Sequence, residues 1–207
     1  EIGRIHWGDR SFALVAKWFL GDRPGELVVT PVSSSSLIKE VVEELGGKLV
    51  WTKVGSVVVS HKMMEIGAKL GGEENGGIFY GPHQPVRDGI MSTALVLNIM
   101  AEERRPLSAL MDELPKYYLM KTSIKCPDKL KKSVLEALRE KFRHLNPLTI
   151  DGVKVWYRDG SAILMRPSGT EPIFRLYAEA RDEDRVRELL EEHKAMVEEL
   201  IKSLSGR

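Results

Sequence analysis

The chain has 207 residues and carries 31 Lys and Arg against 30 Asp and Glu, a net charge of +1, with a single cysteine. So even a charge balance argues against nucleic acid as a partner. No apolar run approaches the roughly 18 residues of a membrane span. A lone Cys126 excludes an intrachain disulfide and fits a reducing, cytoplasmic setting. The opening Glu1-Ile2-Gly3-Arg4 has no signal-peptide pattern. The length suits one large or two modest domains, each able to bury a core.

In chain order, a helix is predicted over 11–19, with Phe12, Val15, Ala16 and Phe19 on one face. A buried-type strand follows over 26–30. Ser33 to Ser36 supply N-cap chemistry for a helix over 37–45, which Gly46-Gly47 ends. A strand over 48–52 completes a β-α-β unit, which implies a parallel pair with a right-handed crossover. Past the Val54-Gly55-Ser56 turn a helix is predicted over 61–68. Asp88 is the expected N-cap of a helix over 90–101, and Pro106 fits the first turn of a short helix over 106–114. Leu114-Pro115-Lys116 is the best domain boundary. Beyond it come a strand over 118–125, a helix over 128–142, strands over 153–157, 162–165 and 173–178, and an amphipathic helix over 182–204. Asp151-Gly152 and Asp159-Gly160 are turn signals.

The most informative string is Arg166-Pro167-Ser168-Gly169-Thr170-Glu171-Pro172, followed by Ile173-Phe174-Arg175. Two arginines bracket a loop of hydroxyl and glycine residues between two strands. The guanidinium fork matches phosphate oxygens and stays charged. Ser168 and Thr170 add hydroxyl donors, and Gly169 lets the backbone come close and turn its N–H groups inward. A second string, Gly72-Glu73-Glu74-Asn75-Gly76-Gly77, sets a carboxylate and an amide two residues apart, so that in extended geometry both face one pocket. Glu73 can accept from vicinal sugar hydroxyls, and Asn75 can donate and accept. Arg87-Asp88-Gly89 follows downstream.

The first string resembles the phosphate-binding loop of the α-D-phosphohexomutases (phosphoglucomutase, phosphomannomutase, phosphoglucosamine mutase and relatives). The second is similar to their sugar-binding loop, and the R-D-G triplet follows at about the distance seen in that family. The resemblance runs from Gly8 to about Leu200. It implies an α/β mixed-sheet domain over 1–114, the family's domain III, followed by a smaller TATA-binding-protein-like α+β domain over 115–207, its C-terminal domain IV. The connection over 114–117 is then expected to act as a hinge.

By that resemblance Arg166, Ser168, Gly169, Thr170 and Arg175 hold the substrate phosphate, and Glu73 and Asn75 hold the sugar. Gly55, His83 and Arg87 are candidates for the cleft. The family reaction moves a phosphoryl group between C1 and C6 of a hexose phosphate through a phosphoserine in a T-A-S-H-N-P-like loop. Magnesium sits in a D-G-D-x-D-R-like loop. Neither string occurs in this sequence, so no catalytic and no metal-binding residue is assigned, and Mg2+ is expected only for the complete enzyme. Gly8-Asp9-Arg10 offers one aspartate, too few oxygens for magnesium.

The chain is thus expected to bind hexose phosphate but to be inactive by itself. Its N-terminal half is then a separate chain or a longer protein's remainder, and the alternative is a free-standing sugar-phosphate-binding module or a decayed gene product. An exposed apolar face on the first domain favours the enzyme reading. The Asn75 position suits the phosphomannomutase/phosphoglucomutase branch, since the phosphoglucosamine branch more often has serine there. The five histidines show no zinc spacing, and His193 falls on an apolar stripe. Trp18, Trp51 and Trp156 read as core.

Overall fold

The computed structural model describes residues 1–206. The chain divides into two compact units, Glu1–Lys116 and a second that starts at Tyr117.

In the first unit, α1 (Gly8–Gly21) carries its apolar stripe inward, with Phe12, Val15, Ala16 and Phe19 essentially inaccessible. It is followed by β1 (Leu27–Pro31), α2 (Ser36–Glu44) and β2 (Lys48–Thr52). Ser35 caps α2, its hydroxyl accepting from the Leu37 N–H at 3.1 Å. The strands β1 and β2 pair in parallel, with Leu27 opposite Lys48 and Thr30 opposite Trp51. Then come α3 (Ser56–Ile66), β3 (Leu70–Gly72), β4 (Ile78–Tyr80), α4 (Gly89–Glu103) and α5 (Leu107–Asp112). The sheet order is β2-β1-β3-β4, with β3 parallel to β1 and antiparallel to β4. Val29 and Phe79 pack with Val59 and Met63 of α3. On the opposite face α1 lies so close that a Cβ on Gly72 would stand 2.4 Å from the Phe12 ring. A mixed sheet with helices on both sides results, as the α/β expectation requires.

Three local differences have physical causes. Helix α3 begins five residues before the predicted start at 61. The run Val57-Val58-Val59 favours strand by its branched side chains, yet Val59 and Met63 gain a buried face against the sheet. Pro106 is the N-cap of α5, in extended backbone, and not a residue of its first turn. Trp18, Trp51 and Trp156 are half-buried rather than core; the Trp18 indole N–H donates to Glu102 at 2.6 Å, which keeps one edge at the surface.

The second unit holds β5 (Tyr118–Lys125), α6 (Asp128–Phe142), a 3₁₀ turn Arg143–Leu145, β6 (Val153–Trp156), β7 (Ala162–Pro167), β8 (Ile173–Ala180) and α7 (Glu183–Ser205). Its sheet is fully antiparallel, in the order β5-β8-β7-β6. Alternation along the strands sends Val153, Val155, Ile163, Met165, Phe174, Leu176 and Ala178 to the face that packs on α6 and α7. Helix α7 contributes Val186, Leu189, Leu190, Val197 and Ile201 to this core. His193 lies among them, 2% exposed. Its Nδ1–H donates to the Leu189 carbonyl at 2.8 Å, so Nε2 accepts from the Tyr157 hydroxyl at 2.8 Å. Burial lowers the His193 pKa and pushes Tyr157 up to about 12. Cys126 is buried as well, and burial raises its thiol pKa.

Candidate functional site

Register places the two loop arginines. Strands β7 and β8 pair so that Arg166 stands directly opposite Arg175. Directly opposed residues of an antiparallel pair share a face, and here it is the face turned away from α6 and α7, since the neighbours Met165, Phe174 and Leu176 fill the helix-side core. Two like charges in this position are unfavourable unless anions lie beside them. Each arginine has one. Arg166 Nη2 donates to Asp151 Oδ2 at 3.0 Å, with side chains only 12% and 19% exposed. Arg175 Nη2 donates to Glu171. Hydrogen bonding with Tyr177, then with Glu171, raises the Arg175 pKa. Arg166 Nε is buried and has no hydrogen-bond partner among the described residues.

Between the arginines the chain makes a tight turn. The Ser168 N–H donates to the Ile173 carbonyl at 3.0 Å, and Ile173 N–H to Glu171 O at 2.8 Å. The buried Ser168 hydroxyl oxygen accepts from the Thr170 and Glu171 N–H groups at 3.4 and 3.2 Å. The expected inward-turned amides are thus largely occupied within the loop: the N–H groups of Ser168, Thr170 and Glu171 are all bonded internally. The Ser168 hydroxyl hydrogen stays free to donate, because those two bonds use only its lone pairs. Gly169 and Thr170 form the exposed tip. Gly169 does not have a positive φ, and a Cβ there would meet nothing within 4 Å. Its value is open space beside the loop and not left-handed backbone.

Two residues of this neighbourhood escaped the sequence reading. Asp151 lies 15 residues before Arg166, in a turn whose Gly152 is forced: a Cβ there would stand 2.6 Å from the Arg166 Cβ. Lys131, in the first turns of α6, donates to the carbonyls of Ser168 and Glu171 at 2.6 and 2.5 Å. No local pattern in the sequence announces either one.

The other candidate site, in the first unit, is the turn joining β3 to β4. Glu73 N–H donates to Gly77 O at 2.9 Å, and Gly76 N–H to Glu73 O at 3.0 Å. The turn packs against the start of α1 so tightly that a Cβ on Gly8 would fall 2.0 Å from Gly76 N. The backbone curls here, so the extended geometry expected to turn Glu73 and Asn75 the same way is absent. Glu73 is buried, while Asn75 is exposed and its Oδ1 accepts from its own loop, at Gly77 N–H, 3.1 Å. Glu73 Oε2 has no hydrogen-bond partner among the described residues; its nearest cation is Arg87 Nη1 at 3.4 Å. Burial raises the Glu73 pKa, Arg87 opposes that, and Glu74 adds to it. Gly77 makes room for the pair, since a Cβ on it would stand 2.3 Å from Arg87 Cδ. Glu74 accepts from Ser33 Oγ at 2.7 Å.

Asp88 caps α4 through the Met91 N–H at 2.9 Å, and this bond lowers its pKa first, with His83 adding to the effect. The His83 ring sits 3.2 Å from Asp88 Oδ2 and Gln84 donates to the same oxygen at 3.1 Å. His83 is thereby tied to the helix cap. Gly55 caps α3 with φ +137°, a conformation costly for any other residue.

No group of three or more His, Cys, Asp or Glu among the described residues is placed to hold a metal ion. Asp9 is buried and its Oδ1 accepts from the Ser35 N–H at 3.1 Å, and Arg10 is spent on the carbonyls of Met111 and Pro115. The Gly8-Asp9-Arg10 segment therefore does not fit magnesium. No described helix is long and apolar enough to cross a membrane.

The two units coincide with two family domains. Residues 7–118 match the phosphoglucomutase/phosphomannomutase alpha/beta/alpha domain III, and residues 122–195 match the phosphoglucomutase/phosphomannomutase C-terminal domain. The chain belongs to the phosphoglucomutase/phosphomannomutase family. A phosphoglucosamine/phosphogalactosamine mutase of Sulfurisphaera tokodaii is 44% identical over 95% of this chain and 44% of the relative. A phosphoglucomutase/phosphomannomutase of Thermococcus kodakarensis is 39% identical over 98% of this chain and 44% of the relative. A solved family structure from Burkholderia thailandensis superposes with a TM-score of 0.79 at 29% identity, over 93% of this chain and 42% of that one. The chain spans less than half the length of these relatives.

Proposed function

We propose that this chain is the phosphosugar-holding half of a phosphohexomutase: it grips one phosphate and the sugar of a hexose phosphate while phosphoryl transfer between C1 and C6 takes place on the enzyme's other half. The observation that carries the reading is the direct opposition of Arg166 and Arg175 across the β7–β8 hairpin, with a serine hydroxyl and open space at the loop between them. A phosphate offers oxygens to both forks and joins or replaces the carboxylates of Asp151 and Glu171 in offsetting their repulsion. Glu73, a buried carboxylate whose Oε2 makes no hydrogen bond and is held only by the ion pair with Arg87 at 3.4 Å, supports a role in accepting from sugar hydroxyls. Relatives named for amino sugars and for plain hexoses match with comparable identity, so the proposed ligand is hexose phosphate as a class.

Helix α4 favours the enzyme reading over a free-standing module. It is strongly apolar, yet only Leu95 and Ile99 are buried, and Ile90 and Leu97 are 87% and 58% exposed. Together with Thr93 and Ala94 they form one face at helical spacing, suited to packing on a further domain. The test has two parts. Calorimetry should detect phosphate and hexose phosphate binding to the pure chain. Conversion of glucose 1-phosphate, with magnesium and a bisphosphate activator, should be absent for the pure chain and appear when an N-terminal half of the family is supplied. Turnover by the pure chain would sink the division of labour.

A further inference from the structure

We propose that Lys131 is a positioning residue of the loop between Arg166 and Arg175, holding its carbonyl groups on one side so that its donors are left for an anion; this rests on the phosphate-binding reading of that loop. Lys131 reaches the loop from α6, 37 residues earlier in the chain. An ammonium has three N–H donors, and all three are used: on Ser168 O at 2.6 Å, Glu171 O at 2.5 Å and Asp128 Oδ1 at 2.7 Å. The side chain is only 13% exposed. A lysine that served only the pair with Asp128, one turn away on its own helix, would keep its strongly hydrated head in water. Here the head is withdrawn from water to bind carbonyls.

The placement matters because a carbonyl facing an anion repels it. Ser168 O and Glu171 O flank the loop tip, and both are drawn to Lys131. Glu171 O also accepts from Ile173 N–H. Ser168 Oγ in turn holds the amides of Thr170 and Glu171. The donors that remain for a ligand are the Ser168 hydroxyl hydrogen, the Gly169 N–H, the Thr170 hydroxyl and the guanidinium N–H groups of Arg166 and Arg175 not spent on Asp151 and Glu171. Lys131 thus sorts the polar groups of the loop before a ligand arrives, and preorganisation of this kind lowers the ordering cost of binding.

The test uses the full chain, the variants Lys131→Met and Lys131→Arg, and inorganic phosphate as the probe. Backbone 15N order parameters at 169–171 should fall from about 0.85 in the parent to below about 0.6 in Lys131→Met. Lys131→Arg, which keeps a charged donor on a similar stem, should restore most of the rigidity. Phosphate Kd should rise about tenfold in Lys131→Met, close to the loss of one net hydrogen bond. That ratio should persist at about 0.5 M salt, where through-space attraction between a lysine and an anion is screened within about 4–5 Å. Unchanged order parameters, or a Kd ratio that collapses to one at high salt, would overturn the positioning role. If the parent binds no phosphate at all while Lys131→Met still loosens the loop, the positioning of the loop stands and the anion-site reading falls.

Discussion

Arg166→Ala separates the binding and folding roles of one side chain. The substitution removes a guanidinium whose side chain is 12% exposed and which pairs with Asp151 at 3.0 Å. A charge-assisted hydrogen bond contributes about 1.5–3 kcal/mol, and about 1.4 kcal/mol is tenfold in affinity. Phosphate binding should therefore weaken about 10- to 100-fold. Stability should also fall. A loop arginine exposed to water would cost almost nothing, but this one is mostly enclosed, and loss of its bond to a partly buried carboxylate costs about 1–3 kcal/mol. Relief of the repulsion from Arg175, directly across the hairpin, returns about 0.2–1 kcal/mol. The net destabilisation is then about 1–2 kcal/mol. Asp151→Asn is the control. It takes away the carboxylate that competes for Arg166, so phosphate should bind several-fold tighter while stability drops. Calorimetry with inorganic phosphate and urea unfolding of the same samples give both quantities. Arg166→Ala binding phosphate as tightly as the parent would refute the anion site, and Asp151→Asn weakening it would refute the competition.

Four further outcomes follow from individual groups. His193 is held neutral by burial, with its pKa lowered; below its ordinary value of about 6.5 only the unfolded chain takes up the proton, so stability is complete above that pH and is lost as pH falls through it. Urea midpoints of the parent between about pH 5 and 7.5 should show this slope and those of His193→Gln should show less of it. Glu73→Gln removes a carboxylate that burial disfavours, so the melting temperature should hold or rise while hexose phosphate loses affinity and inorganic phosphate does not; equal losses for both ligands would contradict the assignment to sugar. Gly169→Ala meets open space and should fold like the parent, within about 0.5 kcal/mol, yet bind phosphate more weakly by calorimetry. Gly8→Ala, aimed at the backbone of Gly76, should destabilise the first unit by more than about 2 kcal/mol, and a parent-like melt would show that the contact relaxes freely.

Legibility followed the range of the interactions. Helices such as 128–142 and strands such as 48–52 and 118–125 coincide with the observed elements, because period and punctuation are local signals. The pairing of Arg166 with Arg175 was within reach for the same reason: a strand, a short loop and a strand bring bracketing residues together. Strands β3 and β4 were missed because three residues each, two of them glycine in β3, carry no alternation to read. The start of α3 was lost to its valines, whose burial against the sheet outweighs their propensity. The extended backbone expected at Glu73 and Asn75 is instead a turn, closed on Gly77 by the Glu73 N–H and by the Asn75 side chain. Asp151 was legible only as a turn residue and Lys131 only as a helix-surface lysine, the commonest of bland features, so neither was marked as part of the site.

The two candidate sites share a chemical condition that shapes how they must be used. In each, the groups assigned to ligand already hold charges of this chain: Arg166 with Asp151, Arg175 with Glu171, Glu73 with Arg87. On the proposed reading, binding is an exchange of ion pairs, in which phosphate replaces or joins a carboxylate and sugar hydroxyls replace or join a guanidinium. Such an exchange gains less than capture by bare charges, so the affinity that each loop offers is set as much by its resident partner as by the group that binds.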